Sequence, residues 1–315
     1  MTAITLGVHV LDVLVRPVED IPAGQGGQLV EEIRMTAAGS AGGTALTLAK
    51  LGAQVRSAGA IGTDALGDAL ITLLKQAGID TALLKRRDDV QTSASVLPIR
   101  PDGSRPAFHV VGANATYNSN DAPWDEIAKA THLHLGAPEF MGGEEAAKIA
   151  SFAREHGVVT SADLLAPGEQ AQAIRDWVRP VFEHLEYLLP NEEQVLGLTG
   201  EADLRAGALA LIKQGVGCIA ATQGANGALV VDAAGAQHVP AFNTDVVDTT
   251  GCGDAFSAGF LRGVALGRAP REAAVLGCAA AAHVARGLGS DYGDFDLQQL
   301  DRFAKQTPTL DPRND

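Results

Sequence analysis

The stretch Asp248–Phe260 (DTTGCGDAFSAGF) places glycines, small polar residues and a carboxylate at the start of a predicted helix. Gly251 and Gly253 allow the backbone to turn with its N–H groups outward, and free N–H groups at the positive end of a helix dipole attract anions. Asp254 follows in the first turn. A carboxylate there is badly placed to bind phosphate but well placed to accept the proton of an attacking hydroxyl group. The pattern predicts a base beside an anion site, the alternative being that Asp254 only caps the helix.

Strand-like and helix-like segments alternate through most of the chain and must position this site. Val55–Ile61 has the pattern of a strand, and Asp64–Ala77 has that of a helix, with Asp64 as its N-cap and Gly78 as its stop. Such alternation is typical of a mostly parallel sheet with helices on both faces. The later segments are His132–Ala137, Glu144–His156, Val158–Asp163, Ala202–Gln214, Cys218–Thr222, Asp254–Leu266 and Arg271–Ala285.

Two segments interrupt this alternation and predict a small second sheet. Thr92–Ile99 and Ala107–Gly112 flank the sequence RPDGSRP, which is typical of a β-hairpin with a Pro-Asp-Gly turn. Leu11–Met35 contains short strand-like pieces without helical periodicity. A sheet formed by these segments could cover a site in the larger part of the chain. A second hairpin is predicted at Gly227–Val239.

The composition excludes several classes of protein. Of the 315 residues, 46% are hydrophobic and 20% are charged, which is typical of a folded globular chain. The 24 basic and 38 acidic residues give a formal net charge of −14, which disfavours nucleic acid and anionic membranes as partners. The chain begins without the basic region of a signal peptide, and its three cysteines have no C-x-x-C spacing. We therefore expect a cytoplasmic protein.

Asp248–Phe260 resembles the C-terminal signature of the PfkB (ribokinase-like) family of carbohydrate and nucleoside kinases, usually D-T-x-G-A-G-D. The segment AAGSAGGTALTLAKLGAQVRSAGAIGTDALGD is similar to the family's N-terminal signature, and GANA, LLPNEEQVLGLTG and TQGANGALV follow in the family's order. This resemblance implies one ribokinase-like α/β domain over residues 1–315, with a mostly parallel central sheet flanked by helices. A small β-sheet lid would come from about residues 11–36 and 90–117, and residues 306–315 would form a flexible tail.

The resemblance implies that ATP phosphorylates a hydroxymethyl group of a sugar or sugar derivative. Asp254 would be the catalytic base, and the backbone of Gly251, Cys252 and Gly253 would hold the transferring phosphoryl group. Asp12 matches the family's acceptor-binding aspartate, and a carboxylate suits a polyol because it accepts hydrogen bonds from two adjacent hydroxyls. Further acceptor contacts are expected at Gly39, Gly42, Gly43 and, from the lid, Asn114.

The same resemblance implies ATP with Mg²⁺ as cofactors. Nucleotide-binding residues would be Asn191, Thr222, Gly224, Gly227 and Thr250. Mg²⁺ would be held mainly by phosphates and waters, with Glu192 or Glu193 supporting it from a distance. The family often uses a monovalent cation as well, so K⁺ could bind between the Asp248–Thr250 loop and a second loop at Gly287–Ser290.

The sequence departs from the family's pattern at several positions. Ala38-Gly39 replaces the usual Gly-Gly, and Gly43 replaces an asparagine that contacts sugar hydroxyls in ribokinase-like members. Gly136 takes the place of an acidic residue of ribose-specific members, and Gln194 takes that of a metal-linked glutamate. Ribose itself is therefore not the expected acceptor. Cys252 replaces an alanine, so either only its backbone matters or its thiol, at a helix N-terminus, is open to oxidation and alkylation.

Two other functions stay open. A nucleoside kinase of the same fold would phosphorylate the ribose 5′-hydroxyl of adenosine or a related nucleoside, and Phe108, Tyr117 or Phe140 could stack on the base. A non-catalytic sensor of sugar or nucleotide could keep the fold, but it would have no need of the base at Asp254.

Three further features admit a simple structural interpretation beside a functional one. His132 and His134 lie two residues apart on a predicted strand, as a chelating pair would, but a third ligand of matching spacing is not evident. Arg100 and Arg105 flank the hairpin turn either as solvated charges or with one of them reaching a carboxylate or phosphate on the acceptor. Open edges of the lid strands favour a homodimer formed through the lid.

Overall fold

A computed structural model of the chain describes residues 1–101, 104–166 and 168–310. Within these ranges the strands fall into two separate sheets. In chain order the strands are β1 (Thr2–Gly7), β2 (Val10–Arg16), β3 (Glu32–Ala38), β4 (Gln54–Gly62), β5 (Asp80–Arg87), β6 (Ala94–Pro98), β7 (Phe108–Val110), β8 (His132–Gly136), β9 (Val159–Asp163), β10 (Tyr187–Leu188), β11 (Cys218–Thr222), β12 (Ala228–Asp232) and β13 (Gly235–Val239). The helices are α1 (Ser40–Lys50), α2 (Ala65–Gln76), α3 (Trp124–Ile127), α4 (Gly143–Glu155), α5 (Gly168–Val178), α6 (Glu192–Thr199), α7 (Leu204–Lys213), α8 (Cys252–Ala265), α9 (Pro270–Val284) and α10 (Leu297–Gln306).

The large sheet has the strand order β13-β12-β11-β10-β9-β8-β1-β4-β5. Its pairings are parallel from β11 to β5, and the hairpin β12–β13 adds an antiparallel edge. Its central strands are almost wholly buried, as expected when helices cover both faces of a parallel sheet. The predicted fold class, a mostly parallel sheet with flanking helices, is confirmed.

Local signals set the helix boundaries as predicted. Asp64 caps α2 by accepting a hydrogen bond from the N–H of Gly67 at 2.8 Å. The same carboxylate accepts bonds from the N–H and hydroxyl of Thr92, so the cap also attaches the helix to the start of β6. Gly78 follows the helix with a φ of 79°, a left-handed conformation in which glycine is favoured.

The small sheet has the order β3-β2-β6-β7 and is built from two separate pieces of chain. Strand β6 pairs antiparallel with β7, so the predicted hairpin is confirmed; Asp102 and Gly103 of its predicted turn lie outside the described residues. Asp12 on β2 lies directly between Thr36 on β3 and Ser95 on β6, and Ser95 lies opposite His109 on β7. One face of the sheet therefore carries a row of polar side chains.

Helices α8 and α9 pack closely against each other and hold the start of α8 in place. A methyl group on Gly259 of α8 would meet the backbone of Gly277 on α9 at 2.8 Å, so the two helices approach through their glycines. Phe256 and Phe260, both buried, extend this contact into the core. The N-terminus of α8 is thereby directed at the carboxyl ends of the parallel strands, where α/β proteins bind their ligands.

The end of the described chain packs on the main body. Thr309 forms an antiparallel bridge with Phe242, the N–H of Leu310 donates to the carbonyl of Ala241 at 2.8 Å, and the N–H of Asn243 donates to the carbonyl of Pro308 at 2.9 Å. These residues belong to the tail expected to be flexible, and the rest of it, residues 311–315, lies outside the described residues. A search of the described helices finds none long and apolar enough to cross a membrane.

Candidate active site

Asp254 lies in the first turn of α8 without capping that helix. The N-cap is Gly251, with a φ of 77°, and no side chain caps this end. The carboxylate of Asp254 instead lies against α1, where a methyl group on Gly43 would overlap it. The interpretation of Asp254 as a cap is therefore wrong, and its side chain is available for chemistry.

Two other carboxylates act on that of Asp254. Burial raises the pKa of Asp254 well above its ordinary value, the charges of Asp163 and Asp12 raise it further, and Arg105 opposes this rise. An aspartate with a raised pKa is a stronger base than a solvated one. The structure thus brings the predicted base and the predicted acceptor-binding carboxylate, which are far apart in the sequence, into one site.

Asp12 lies on the polar row of the small sheet and is 6% exposed. Its Oδ1 atom is buried and has no hydrogen-bond partner among the described residues. Burial raises the pKa of Asp12 to about 6, with the Ser95 hydroxyl and Arg105 opposing the rise and the charge of Asp248 adding to it. A buried acceptor atom without a donor is costly unless a ligand supplies one. This geometry suits a ligand with hydroxyl groups.

Asp163, which sequence reasoning missed, is the third member of this group. It ends β9, is 5% exposed, and its Oδ1 atom accepts a hydrogen bond from the N–H of Ala137 at 3.3 Å. His134 on the neighbouring strand β8 lies with Nε2 at 3.5 Å from the Asp163 Oδ2 atom. The signal in the sequence was a carboxylate at the end of a predicted parallel strand, where side chains from several strands converge.

The start of α8 offers backbone N–H groups. The N–H groups of Gly253 and Asp254 donate no hydrogen bond to any described residue. The N–H of Cys252, in contrast, donates to the Thr249 carbonyl at 3.2 Å. A methyl group on Gly253 would meet nothing within 4 Å, so this backbone faces open space. Of the predicted phosphoryl-binding residues, Cys252 therefore has its N–H occupied.

Asp248 fixes the loop that precedes α8. Its Oδ1 atom accepts bonds from the N–H and the hydroxyl of Thr250 at 2.9 and 2.8 Å, and its Oδ2 atom accepts one from the N–H of Gly289 at 3.1 Å. The loops Asp248–Thr250 and Gly287–Ser290 are thus neighbours. Thr250 is 6% exposed, and its polar groups serve this loop.

The glycines of the first signature and Asn114 serve mainly to position the backbone. Gly39 has a φ of 82°, and a methyl group there would meet the Val8 carbonyl oxygen at 2.7 Å; one on Gly42 would meet the ring of His9 at 3.5 Å. Asn114 accepts a hydrogen bond from the His9 N–H at 3.1 Å and donates one to the His9 carbonyl at 3.0 Å. Its amide therefore supports the connection to β2, on which Asp12 lies, and its contact with the acceptor stays a prediction.

A cavity of about 400 Å³ opens beside the start of α8. Thr222, Gly224 and Gly227 of the predicted nucleotide-binding set line it, whereas Thr250 does not. Most of its lining is apolar and comes from residues that were not predicted as site residues, including Phe242, Val246, Ala281 and Ala285. An apolar cavity that ends at unbonded N–H groups suits a molecule with a flat apolar end and an anionic end.

The predicted metal-linked segment lies next to this cavity but does not line it. Asn191 and Gln194 cap α6 reciprocally, and the Gln194 Nε2 atom also donates to the carbonyls of Leu164 and Ala166 at 3.0 and 2.9 Å. An ionised glutamate could not donate these two bonds. Glu192 accepts a bond from Gln223 at 3.1 Å, and Glu193 is exposed. Among the described residues no group of three or more His, Cys, Asp or Glu side chains could hold a metal ion.

The remaining candidates have structural roles. Burial raises the pKa of the Cys252 thiol to about 12, which favours the interpretation that only its backbone matters. His134 is buried and hydrogen-bonded to the Ser161 hydroxyl at 3.0 Å, and His132 bonds to the Thr131 hydroxyl at 2.9 Å. The three cysteines carry free thiols, and the cytoplasmic location expected from the sequence stays a prediction.

The sequence pattern of the pfkB family carbohydrate kinases matches residues 8–294 of this chain. The chain is 30% identical over 258 residues to an ATP-dependent ribose-1-phosphate kinase of Halopiger xanaduensis. The aligned region covers 79% of this chain and 80% of that kinase. It is 25% identical over 247 residues to a nucleoside kinase of Methanothermobacter thermautotrophicus, covering 78% and 76% of the two chains.

The fold is similar to that of solved kinases. A protein of Escherichia coli, provisionally assigned as ribokinase II and solved in complex with ATP and Mg²⁺, superposes with a TM-score of 0.84 at 20% identity. The superposition covers 97% of this chain and 99% of the other. At this level of identity, the likeness establishes a shared fold.

Proposed function

Because the chain belongs to the PfkB family of carbohydrate kinases and is a phosphotransferase acting on an alcohol group, we propose that it uses ATP to phosphorylate a hydroxymethyl group of a sugar or sugar derivative. One observation carries this proposal. The carboxylate of Asp254 does not cap α8, it lies in the same helix turn as unbonded N–H groups, and it is near enough to Asp12, whose Oδ1 atom lacks a partner among the described residues, for the charge of Asp12 to raise its pKa.

Asp12 would orient the acceptor. Its Oδ1 atom lacks a donor among the described residues, and a hydroxyl of the sugar would supply one. The Ser95 hydroxyl beside it, hydrogen-bonded to His109 at 3.0 Å, keeps the carboxylate in place on the polar row. Because Asp12 is on the small sheet and Asp254 on the large domain, the acceptor would lie between them, and the sheet would act as a lid that excludes water.

Asp254 would accept the proton of the hydroxymethyl group as its oxygen attacks. Its raised pKa, caused first by burial and then by Asp163 and Asp12, makes its carboxylate a stronger base than a solvated one. The N–H groups of Gly253 and Asp254, together with Gly251, would stabilise the charge that builds on the phosphoryl oxygens. Cys252 contributes only its place in the first turn of α8, because its own N–H already donates to the Thr249 carbonyl.

The 400 Å³ cavity is the proposed site for ATP, with its apolar walls around the base and its open end at α8. Mg²⁺ bound to the phosphates would supply the positive charge that neutralises the phosphoryl oxygens. The described residues offer no cage of acidic side chains, so the ion would be held mainly by phosphates and waters. Asn191 forms a β-bridge with Thr222, which lines the cavity. Glu192 follows Asn191 in the sequence and accepts a hydrogen bond from Gln223.

We also propose that K⁺ binds between the loops at 248–250 and 287–290. The bond from the N–H of Gly289 to Asp248 holds these two loops together beside the start of α8. Backbone carbonyls of such loops are suitable ligands for a monovalent cation. Activity that stays the same when tetramethylammonium replaces K⁺ would contradict this proposal.

The test of the kinase is ADP release with Mg·ATP over a panel of sugars, sugar acids, phosphosugars and nucleosides. We expect turnover of one acceptor class and a loss of roughly 10²- to 10⁴-fold in kcat for Asp254→Asn. Asp68→Asn is the matched control, because Asp68 also lies in the first turn of a helix but on the exposed surface. Full activity of Asp254→Asn would contradict the assignment of the base, and ATP binding without turnover would favour the sensor.

A sugar acceptor is favoured over a nucleoside by the positions of the aromatic residues. Phe108 is 59% exposed and lies on the face of the small sheet opposite to Asp12. Tyr117 is buried, and its hydroxyl donates to the Asp121 carbonyl at 3.3 Å. Only Phe140 of the three predicted stacking residues packs near the start of β2, against Val8 and Val10. Nucleoside turnover in the panel would reverse this choice.

We propose that the chain forms a homodimer through the outer face of the small sheet. This face exposes the apolar side chains of Ile33, Met35, Val96, Phe108 and Val110, and both edge strands are open among the described residues. A second copy could cover this face and pair with an edge. Light scattering should report a dimer for the native chain and a monomer for Phe108→Glu; a monomeric native chain would contradict the proposal.

A further inference from the structure

Arg105 lies in the connection between β6 and β7, within reach of the proposed active site. Its Nε atom is 3.8 Å from the Asp248 Oδ1 atom, and its side chain is 38% exposed. Within the described ranges, its guanidinium donates no hydrogen bond to another residue, and the 3.8 Å to Asp248 is too long for one. Asp248 does not depend on this contact, because it already accepts three bonds from Thr250 and Gly289. Arg105 therefore has N–H groups to offer to a ligand.

Arg105 acts on two carboxylates of the proposed active site. The carboxylates of Asp12 and Asp254 are both within its electrostatic reach, and in the described part of the chain no other basic side chain opposes the rise in their pKa values. The nucleotide cavity, in contrast, is lined by no Arg or Lys among the described residues. Among the described residues, Arg105 thus places a positive charge on the acceptor side of the site, where it acts on Asp12 and Asp254.

We propose that Arg105 binds an anionic group of the acceptor, a phosphate or a carboxylate, so that the substrate is a sugar phosphate or sugar acid. This inference rests on the kinase activity proposed above. A guanidinium offers two parallel N–H donors that match a phosphate or carboxylate. Asp12 would bind the hydroxyl groups of the same molecule, and Arg105 its charged end.

Two other roles for Arg105 are distinguishable from this one. If the arginine only offsets the charge of Asp12 and Asp254, its loss would affect neutral and anionic acceptors equally. If it binds the phosphates of ATP, its loss would raise KM for ATP. Binding of the acceptor's anion predicts instead a loss confined to anionic acceptors and carried mainly by their KM.

The experiment compares matched acceptors: ribose with ribose 1-phosphate, fructose with fructose 6-phosphate, and glucose with gluconate. The full chain is assayed with Mg·ATP as native protein, Arg105→Gln, Arg105→Lys and Arg100→Gln. Arg100 is the matched control, since it lies in the same connection but bonds to Ser104. The phosphate and carboxylate pairs separate the two sources of negative charge.

We expect native protein to prefer an anionic member of a pair. Arg105→Gln should lower kcat/KM for that member by roughly 10- to 100-fold, the effect of losing one charge-assisted contact. Arg105→Lys should be intermediate, and KM for ATP should not change. A preference for neutral sugars, an equal loss for both members of a pair, or a raised KM for ATP would each overturn the inference.

A binding measurement keeps this inference separate from the kinase proposal. Calorimetric titration with ribose 1-phosphate and fructose 6-phosphate, without ATP, should show binding of at least one that Arg105→Gln weakens. Such binding without turnover of any acceptor would retain the anion site and reject the kinase. Turnover of neutral sugars alone would retain the kinase and reject the anion site.

Discussion

Asp12 should reduce the stability of the folded chain, and replacing it by asparagine should make the protein more stable but less active. The carboxyl group is 6% exposed, and burial raises its pKa from 3.8 to about 6. Each tenfold change in an ionisation constant is worth about 1.4 kcal/mol. Keeping Asp12 ionised therefore costs the folded protein about 3 kcal/mol at neutral pH.

The sign of this effect sets its pH dependence. An acid whose pKa is higher in the folded than in the unfolded state reduces stability as the pH rises between the two values. The cost is absent below about pH 4, grows up to about pH 6, and is fully present above it. Asp12→Asn should remove that cost, because an amide of the same size stays neutral and can still accept a bond from Ser95.

Urea unfolding of native protein and Asp12→Asn at pH 4 and pH 8 measures the difference. We expect the variant to gain up to about 3 kcal/mol at pH 8 and close to nothing at pH 4. Exposed Asp20 provides the control, since Asp20→Asn should change stability at neither pH. The same variant should lose kcat/KM for the acceptor, as expected when a site residue is costly to the fold. A gain that is equal at both pH values, or a loss at pH 8, would refute the reasoning.

Three further predictions concern the rest of the site. Gly43→Ala should lower kcat roughly tenfold or more, because the added methyl group would displace the Asp254 carboxylate. Gly42→Ala should have a milder effect, because its methyl group would lie 3.5 Å from the nearest atom of the His9 ring. Equal rates of ADP release by the two variants would contradict this prediction. Ala281→Leu should narrow the cavity and raise KM for ATP without changing KM for the acceptor, as steady-state kinetics would show. Cys252 should react slowly with iodoacetamide at pH 8 because its pKa is about 12; rapid labelling seen by mass spectrometry would disprove that.

The order of elements could be predicted from the sequence because its signals are local. Alternating strand and helix patterns predicted the parallel sheet, and a polar residue at the start of α2 with a glycine after its end marked that helix. The Pro-Asp-Gly turn predicted the hairpin of β6 and β7. The glycine-rich stretch before Asp254 likewise identified the start of α8, since free N–H groups and the helix dipole depend only on neighbouring residues.

The environments of individual side chains required the tertiary structure, because burial and charge depend on residues distant in sequence. The sequence did not indicate that both polar groups of the Asn114 amide bond to the backbone of His9, on the connection between β1 and β2. Asp163 belongs to no recognisable motif, and it lies in the site because the sheet places β9 two strands from β1. Most of the 400 Å³ cavity beside α8 comes from apolar residues whose sequence pattern is that of ordinary core.

The sequence by itself determined the chemistry available to this protein: a carboxylate at a helix start, an acid after the first strand, and a glycine loop between strand and helix. The tertiary structure alone decided how those groups act on one another. Burial and the charges of Asp163 and Asp12 raise the pKa of Asp254. The charge of Arg105, in the connection between β6 and β7, lowers it. Electrostatic free energies depend on distance and on solvent exposure, and both are set by packing between segments that are far apart in the sequence.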